Sequence, residues 1–270
     1  MLNKPVVFLS LMSMPWLLSN ILWLSLILLL ASTLTRIISL AGLGWILFGI
    51  YWMGQPGYYL SIEDYFNAIL TATAGVLCIY MAWILLFKGC QTNACKWASF
   101  AASVCGIVYF PFAEIEMLRT WLIGQTALIT VFFLQAFSVP VTLQSWNVMA
   151  INGRSVEIIL ACTAIESIAL FIGVILSVQA PPLRKFGALA LSTLVIYSLN
   201  ILRNAFVVAA YGEEWFGNDS FFVAHNIIAK AGSTLALLVI AYIIFSILPE
   251  LLAIIDELGG ELMHPRRDQP

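Results

Sequence analysis

Residues 65–87, YFNAILTATAGVLCIYMAWILLF, run for twenty-three positions without a charged side chain. That exceeds the roughly 20 apolar residues an α-helix needs to cross a hydrocarbon core of about 30 Å, and it is too long for a barrel strand. Lipid offers no partner to open backbone groups, so a run of this kind is helical. Similar runs recur on both sides of it, at 16–33, 37–53, 97–113, 119–138, 158–178, 186–211 and 221–248, divided by short polar or charged breaks. Composition agrees: 62% hydrophobic and 10% charged residues, with a mean hydropathy of +0.98, lie far from soluble domains. The predicted fold is all-α, a polytopic integral membrane helical bundle of about eight transmembrane helices.

No internal repeat is evident, which argues against a duplicated transporter architecture. Residues 1–270 read as a single transmembrane domain, with the chemistry concentrated in 139–248 and a short cytoplasmic tail at 249–270. Met1 to Ser10 carries only Lys4 and lacks a small-residue cleavage pattern, so it leads into the first span rather than forming a removable signal. The twelve Lys and Arg residues are scattered singly and make no face for nucleic acid. Five cysteines without paired histidine spacings imply neither a zinc site nor a disulfide framework. They read as apolar residues, although Cys90 and Cys95 could close a loop disulfide.

Loop charge orients the chain. Arg184 and Lys185 stand between two spans and Arg266 and Arg267 follow the last one, which places both points in the cytoplasm. The loop Gly212 to Ser220, with Glu213, Glu214 and Asp219, then lies outside, as does Val139 to Glu157. Eight spans put Lys4 inside, but Lys88 and Lys96 outside, against the positive-inside bias. The stretch 139–157 alternates polar and apolar residues around Asn152-Gly153, the pattern of a short hairpin or re-entrant cap on the outer face.

Depth brings three residues together. Cys162 lies near the outer end of its span, and His225 begins the last span from outside. Arg203 follows Phe186 by seventeen residues, or about 26 Å of helical rise across a core of about 30 Å. A thiolate is a strong nucleophile near neutral pH once a neighbouring imidazole or guanidinium favours its formation. Arg203 can stabilise the oxyanion formed by attack on a carbonyl, and His225 can carry the thiol proton to the leaving amine. A lone cysteine in a membrane helix is usually filler, and a histidine at a helix start is usually packed or interfacial. Arginine within a span is costly, at about 2.5–3.5 kcal/mol or more unless it snorkels, and it normally has a partner or a task. Glu166, Asn200, Asn204, Asn226 and Lys230 lie nearby as supporting polar groups or interhelical glue, with Glu166 placed to pair with Arg203 or Lys230.

The segments Ala161-Cys162-Thr163-Ala164-Ile165-Glu166-Ser167, Asn200-Ile201-Leu202-Arg203-Asn204 and Phe221-Phe222-Val223-Ala224-His225-Asn226 resemble the exosortase/archaeosortase family, most closely its archaeal side. So do Asp64-Tyr65-Phe66-Asn67-Ala68 and Tyr109-Phe110-Pro111-Phe112-Ala113-Glu114-Ile115, and the likeness runs from about Gly42 to Leu248. One departure is Ala164, where the family commonly has glycine, a residue free to adopt conformations that alanine avoids. The third catalytic position of the family is histidine or arginine, and His225 follows the histidine form.

The resemblance implies a membrane-embedded cysteine transpeptidase of an archaeal cell membrane, with its site on the extracytoplasmic side and no cofactor or metal. Its substrates would be secreted surface proteins, such as S-layer glycoproteins, ending in a Pro-Gly-Phe-type motif, a transmembrane helix and a basic tail. Cys162 would cleave near the motif and hold the protein as a thioester, which a membrane lipid acceptor would resolve. Two other readings stand beside it: an intramembrane cysteine protease that uses water, and a transporter or channel subunit. The second needs a polar path across the membrane, yet Leu237 to Phe245 and Leu170 to Leu176 offer almost no ionisable group. No HExxH motif and no pair of aspartates within spans support a metalloprotease or an aspartyl protease.

Overall fold

A computed structural model of the chain describes residues 4–263, with side chains from Trp16 onward. Arg266, Arg267 and the side chain of Lys4 lie outside the described residues. The chain forms two compact units, one of residues up to Gly106 together with those from Ala253, the other Ile107–Leu252.

In the first unit α1 (Lys4–Thr35), α2 (Ile38–Met53) and α4 (Tyr65–Phe87) pack as long apolar helices, with the short α3 (Pro56–Ser61) between the last two. Asp64 caps α4 by accepting from the backbone N–H of Asn67 at 3.1 Å, which fixes where that helix starts. Water supplies no driving force between helices in lipid, so close contact must come from small residues. Gly49 and Gly75 meet this need between α2 and α4: a Cβ on Gly49 would stand 2.6 Å from Ile79, and one on Gly75 would stand 2.6 Å from Met53. A disulfide joins Cys90, in the loop ahead of α5 (Asn93–Glu114), to Cys95 in the first turn of that helix, the loop disulfide that the sequence allows.

Seven helices among the described residues are long and apolar enough to cross a membrane, in agreement with the predicted polytopic bundle. The sixth predicted span, 158–178, differs. Only its second half is α-helical, as α7 (Ile165–Ser177), because residues 160–162 form a 3₁₀ turn and Ala164 turns left-handed at φ 63°. Thirteen residues rise about 20 Å, less than the hydrocarbon core of about 30 Å.

The second unit is built on α6 (Glu116–Ala136), α7, α8 (Pro182–Gly212) and a last crossing that begins as a π-helix, Phe222–Ala229, and continues as α9 (Lys230–Ile247). Capping α6 and α8 is a three-stranded antiparallel sheet, β1 (Val141–Leu143), β2 (Val148–Ile151) and β3 (Arg154–Glu157), in the order β1-β2-β3. The predicted hairpin is β2–β3. Asn152 and Gly153 both have positive φ, 50° and 78°, the two-residue turn whose twist suits a hairpin. Strand β1 adds a third member that the alternation around Asn152-Gly153 did not reveal.

This sheet buries Val141, Met149 and Ile151 against Ile123, Ala127 and Val131 of α6 and Ala205 and Val208 of α8. The hairpin tip also grips the end of α8. Asn152 donates to the carbonyl of Gly212 at 3.1 Å and to Glu213 at 2.9 Å, while Arg154 donates to the carbonyl of Tyr211 at 3.2 Å and pairs with Glu214. At the far end of the unit Arg184 holds Glu250 at 2.7 Å, the first turn of α10 (Pro249–Met263). Fixed at both ends, α8 is the post on which the site is mounted.

Candidate active site

Cys162 ends the 3₁₀ turn Leu160–Cys162 that leads from β3 to α7, so it sits above the helix rather than within it. Its backbone is tied to α8 by two amides. Asn200 donates from Nδ2 to the Cys162 carbonyl at 2.7 Å, and Asn204 does the same at 2.9 Å. Residues four apart share a helix face, which is why both reach one oxygen. Between them on the same turn stands Arg203. Both asparagines are buried, while Cys162 itself is half-buried, so the shared acceptor is a partly enclosed group satisfied from the α8 side.

Arg203 reaches across to the last crossing, where its Nη2 lies 3.5 Å from His225 Nε2. Guanidinium nitrogens only donate, so Nε2 faces it with a lone pair. His225 Nδ1 lies 3.4 Å from Asn226 Oδ1, which accepts its N–H, and the two contacts together select one neutral tautomer of the ring. The imidazole is held flat by Phe221, four residues earlier, with ring centroids 5.2 Å apart and 5° between planes. His225 belongs to the π-helical segment, a wider winding that commonly marks a functional place in a helix.

The turn after Cys162 depends on Ala164. Its φ of 63° and ψ of 6° are the left-handed conformation that an L-residue adopts at a cost of about 1–2 kcal/mol. This is the position at which the resemblance called for glycine, and the backbone accounts for that preference.

A cavity of about 710 Å³ opens beside this turn, between α7, α8 and α9. Glu166, Asn200, Arg203 and Lys230 line its polar part, and Cys162 and His225 are not among its lining residues. Glu166 takes a hydrogen bond from the Tyr109 hydroxyl at 3.4 Å, and among the described residues it forms an ion pair with neither Arg203 nor Lys230. The structure therefore brings together Arg203 and His225 by direct contact, Cys162 and Arg203 through the two asparagines, and Glu166 and Lys230 through the cavity. Among the described residues the Cys162 thiol has no hydrogen-bond partner. Tyr109 and Phe221 were not singled out as site residues. Phe221 had a legible signal, its four-residue spacing from His225.

The site is recessed. Lys185 donates to the carbonyl of Leu176 at 2.6 Å and marks the lower end of α7, so the turn bearing Cys162 stands only about 20 Å above it. Helix α8 continues nine residues past Arg203, about 13 Å, before the sheet closes over it.

Fold and site together define a polytopic helical membrane protein whose thiol-bearing turn is fastened by two asparagines to a helix that carries an arginine in contact with a histidine. The chain belongs to the transmembrane exosortase family, whose model matches residues 6–246. It is similar to Archaeosortase A of Haloferax volcanii, 29% identical over 249 residues, covering 79% of this chain and 81% of that protein. It is also similar to Archaeosortase A of Natronomonas pharaonis, 30% identical over 262 residues, covering 83% of this chain and 82% of that protein. No solved structure matches. As a member of the family, the chain is a membrane sorting enzyme.

Proposed function

We propose that this protein is a cysteine transpeptidase. It cleaves surface proteins at a C-terminal signal, a short Pro-Gly-Phe-type motif followed by a transmembrane helix and a basic tail, and transfers them to a membrane lipid. The observation that carries this reading is the pair of amide hydrogen bonds that couples the Cys162 turn to the turn of α8 bearing Arg203, with Arg203 in turn touching His225.

Cys162 is the nucleophile. His225 Nε2 takes the thiol proton, and the thiolate attacks the scissile carbonyl carbon. Arg203 stabilises the resulting oxyanion from within a low-dielectric site, where such a charge is worth most. Collapse breaks the C–N bond, His225 returns its proton to the leaving amine, and the signal helix departs while the protein remains as a thioester. Asn200 and Asn204 orient the nucleophile through its backbone, whereas Glu166 and Lys230 face the acceptor side.

The active face is extracytoplasmic. Arg184 and Lys185 place the α7–α8 turn in the cytoplasm, so the Cys162 turn points outward. Two crossings, α5 and α6, separate the Cys90–Cys95 turn from β1, and a disulfide belongs to the oxidising side of a membrane. That assignment favours an outside location for Lys88 and Lys96 despite their charge. A recessed, lipid-flanked site also suits a lipid acceptor better than bulk water.

The test is a substitution series in cells that express a surface protein with such a signal. Cys162→Ala and Cys162→Ser are expected to leave the full-length precursor uncleaved while the enzyme accumulates normally in the membrane. Normal processing by either variant removes the nucleophile from the account.

A further inference from the structure

The strand that leads into the Cys162 turn has an open edge. In the order β1-β2-β3, β3 pairs on one side only. Its register, with Ile151 opposite Arg154 and Met149 opposite Val156, continues to Ile158, whose N–H donates to the carbonyl of Asn147 at 2.9 Å. Bonded and non-bonded pairs alternate in an antiparallel ladder, so Arg154, Val156 and Ile158 turn their backbone groups toward β2, while Ser155 and Glu157 turn theirs away. Both of these residues are exposed, and no hydrogen bond among the described residues uses their backbone N–H or C=O. Their side chains leave the edge clear. Ser155 Oγ donates to Gln144 Oε1 at 3.0 Å and Glu157 Oε1 accepts from Asn147 Nδ2 at 3.0 Å, both across the sheet. Strand β3 carries neither proline nor lysine, the residues that commonly close an edge. The opposite edge differs, because Gln135 of α6 donates to the carbonyl of Val141 at 3.0 Å.

From the hairpin tip at the end of α8, β3 runs down to Cys162, five residues past Glu157, so its edge leads to the nucleophile. An extended chain advances about 3.3–3.6 Å per residue, which puts the thiol within about 18 Å of Glu157. A substrate backbone that leaves water for a recessed site must find partners for its own N–H and C=O groups. We propose that the open edge of β3 binds the substrate as a fourth strand, an extended polypeptide segment lying a few residues before the scissile bond. The proposal rests on the transpeptidase reading and deepens it, by naming where the retained part of the substrate is held. The direction follows from the topology. The signal passes from outside toward its membrane helix, as β3 passes from the tip toward Cys162, so the added strand runs parallel to β3. In a parallel pair each outward residue of β3 donates to one substrate carbonyl and accepts from the N–H two residues further on. Ser155 and Glu157 thereby take up four backbone groups of the substrate. Main-chain pairing of this kind supplies affinity with little regard to side chains, so surface proteins that differ upstream of a common signal share one site.

The experiment uses the full-length protein in phosphatidylcholine vesicles and a synthetic substrate bearing the C-terminal signal. A single backbone N-methyl group is placed in turn at each residue of the segment before the cleavage site, which deletes one donor and keeps the side chain. In the wild type kcat/KM is expected to fall about three- to tenfold at two positions, two residues apart, the weight of one hydrogen bond, and to change less than about twofold at the residue between them. A uniform response along the segment overturns the proposal by itself. Glu157→Pro removes an outward N–H and sets a ring against the edge, at a place where β2 loses no hydrogen bond, and it is expected to flatten the alternation. Alternation that persists in this variant also overturns the proposal. The same N-methyl series, read as the affinity of fluorescent substrate for Cys162→Ala protein in these vesicles, gives a readout independent of catalysis. Weaker binding at the same two positions supports the site, and equal affinities across the series refute it. Cleavage of the unmodified substrate by Cys162→Ala instead counts against the catalytic reading, while the affinity series still decides the β3 site.

Discussion

Removing the amides of Asn200 and Asn204 together is expected to cost more than the sum of removing each. Both donate to the single carbonyl of Cys162, at 2.7 and 2.9 Å, from positions 8% and 4% exposed. Leucine matches asparagine closely in shape, so Asn→Leu deletes the donor and leaves little cavity. Either single change leaves the carbonyl with its other donor and costs about 0.5–1.5 kcal/mol, the net value of one such bond. The double change strands a partly buried carbonyl, adding a desolvation penalty toward the low end of about 1–3 kcal/mol that neither single variant incurs. The coupling energy is therefore expected to be about 1–2 kcal/mol, within the range for residues that share a partner. Reversible unfolding in mixed micelles measures it for the wild type, both single variants and the double variant. The same four proteins should show acylation falling in parallel with the freedom of the Cys162 turn. Additive singles, with no coupling, would refute the idea that the two amides jointly hold the nucleophile.

Ala164→Gly is expected to be neutral or stabilising by up to about 1 kcal/mol, because it relieves the left-handed φ of 63°. Ala231→Gly on α9 should instead cost about 1 kcal/mol, and thermal unfolding that gives both the same sign contradicts the local geometry. Arg203→Lys should be nearly as defective as Cys162→Ala in precursor cleavage, since it loses the planar fork that reaches toward both His225 and a developing oxyanion. His225→Ala should slow acylation most at low pH, where a base is needed to form the thiolate, and an unchanged pH profile would leave Cys162 activated without it. In intact cells Cys90 and Cys95 should become reactive to a membrane-impermeant maleimide only after reduction. Reactivity that also requires permeabilisation would place that turn in the cytoplasm and invert the topology.

Much of the fold was legible because lipid imposes one rule on backbone polar groups, and runs such as 65–87 have no other way to satisfy it. The hairpin was legible for a local reason, since Asn152-Gly153 is suited to two successive positive φ values. The sixth span misled because hydropathy records polarity and not winding: residues 158–164 are as apolar as a helix but form a 3₁₀ turn and a left-handed bend. Within the site, Asn200 and Asn204 stood out as polar groups in a span. Their common target did not, because a backbone carbonyl on another segment leaves no trace in side-chain identity. Glu166 shows the converse. Its charge suggested a pairing with Arg203 or Lys230, whereas packing gives it to the hydroxyl of Tyr109, fifty-seven residues away. The π-helical winding around His225 was not legible, because the apolar run Phe222–Ala229 reads equally well as α-helix.

The most direct measurement is the mass of Cys162 during turnover. Wild-type protein is incubated with a substrate bearing the C-terminal signal, quenched in acid and analysed by peptide mass spectrometry, alongside Cys162→Ala. The account predicts an adduct on the Cys162 peptide equal to the cleaved substrate, released by hydroxylamine and absent from the variant. Cleavage of the substrate by both proteins, with Cys162 unmodified throughout, would contradict it.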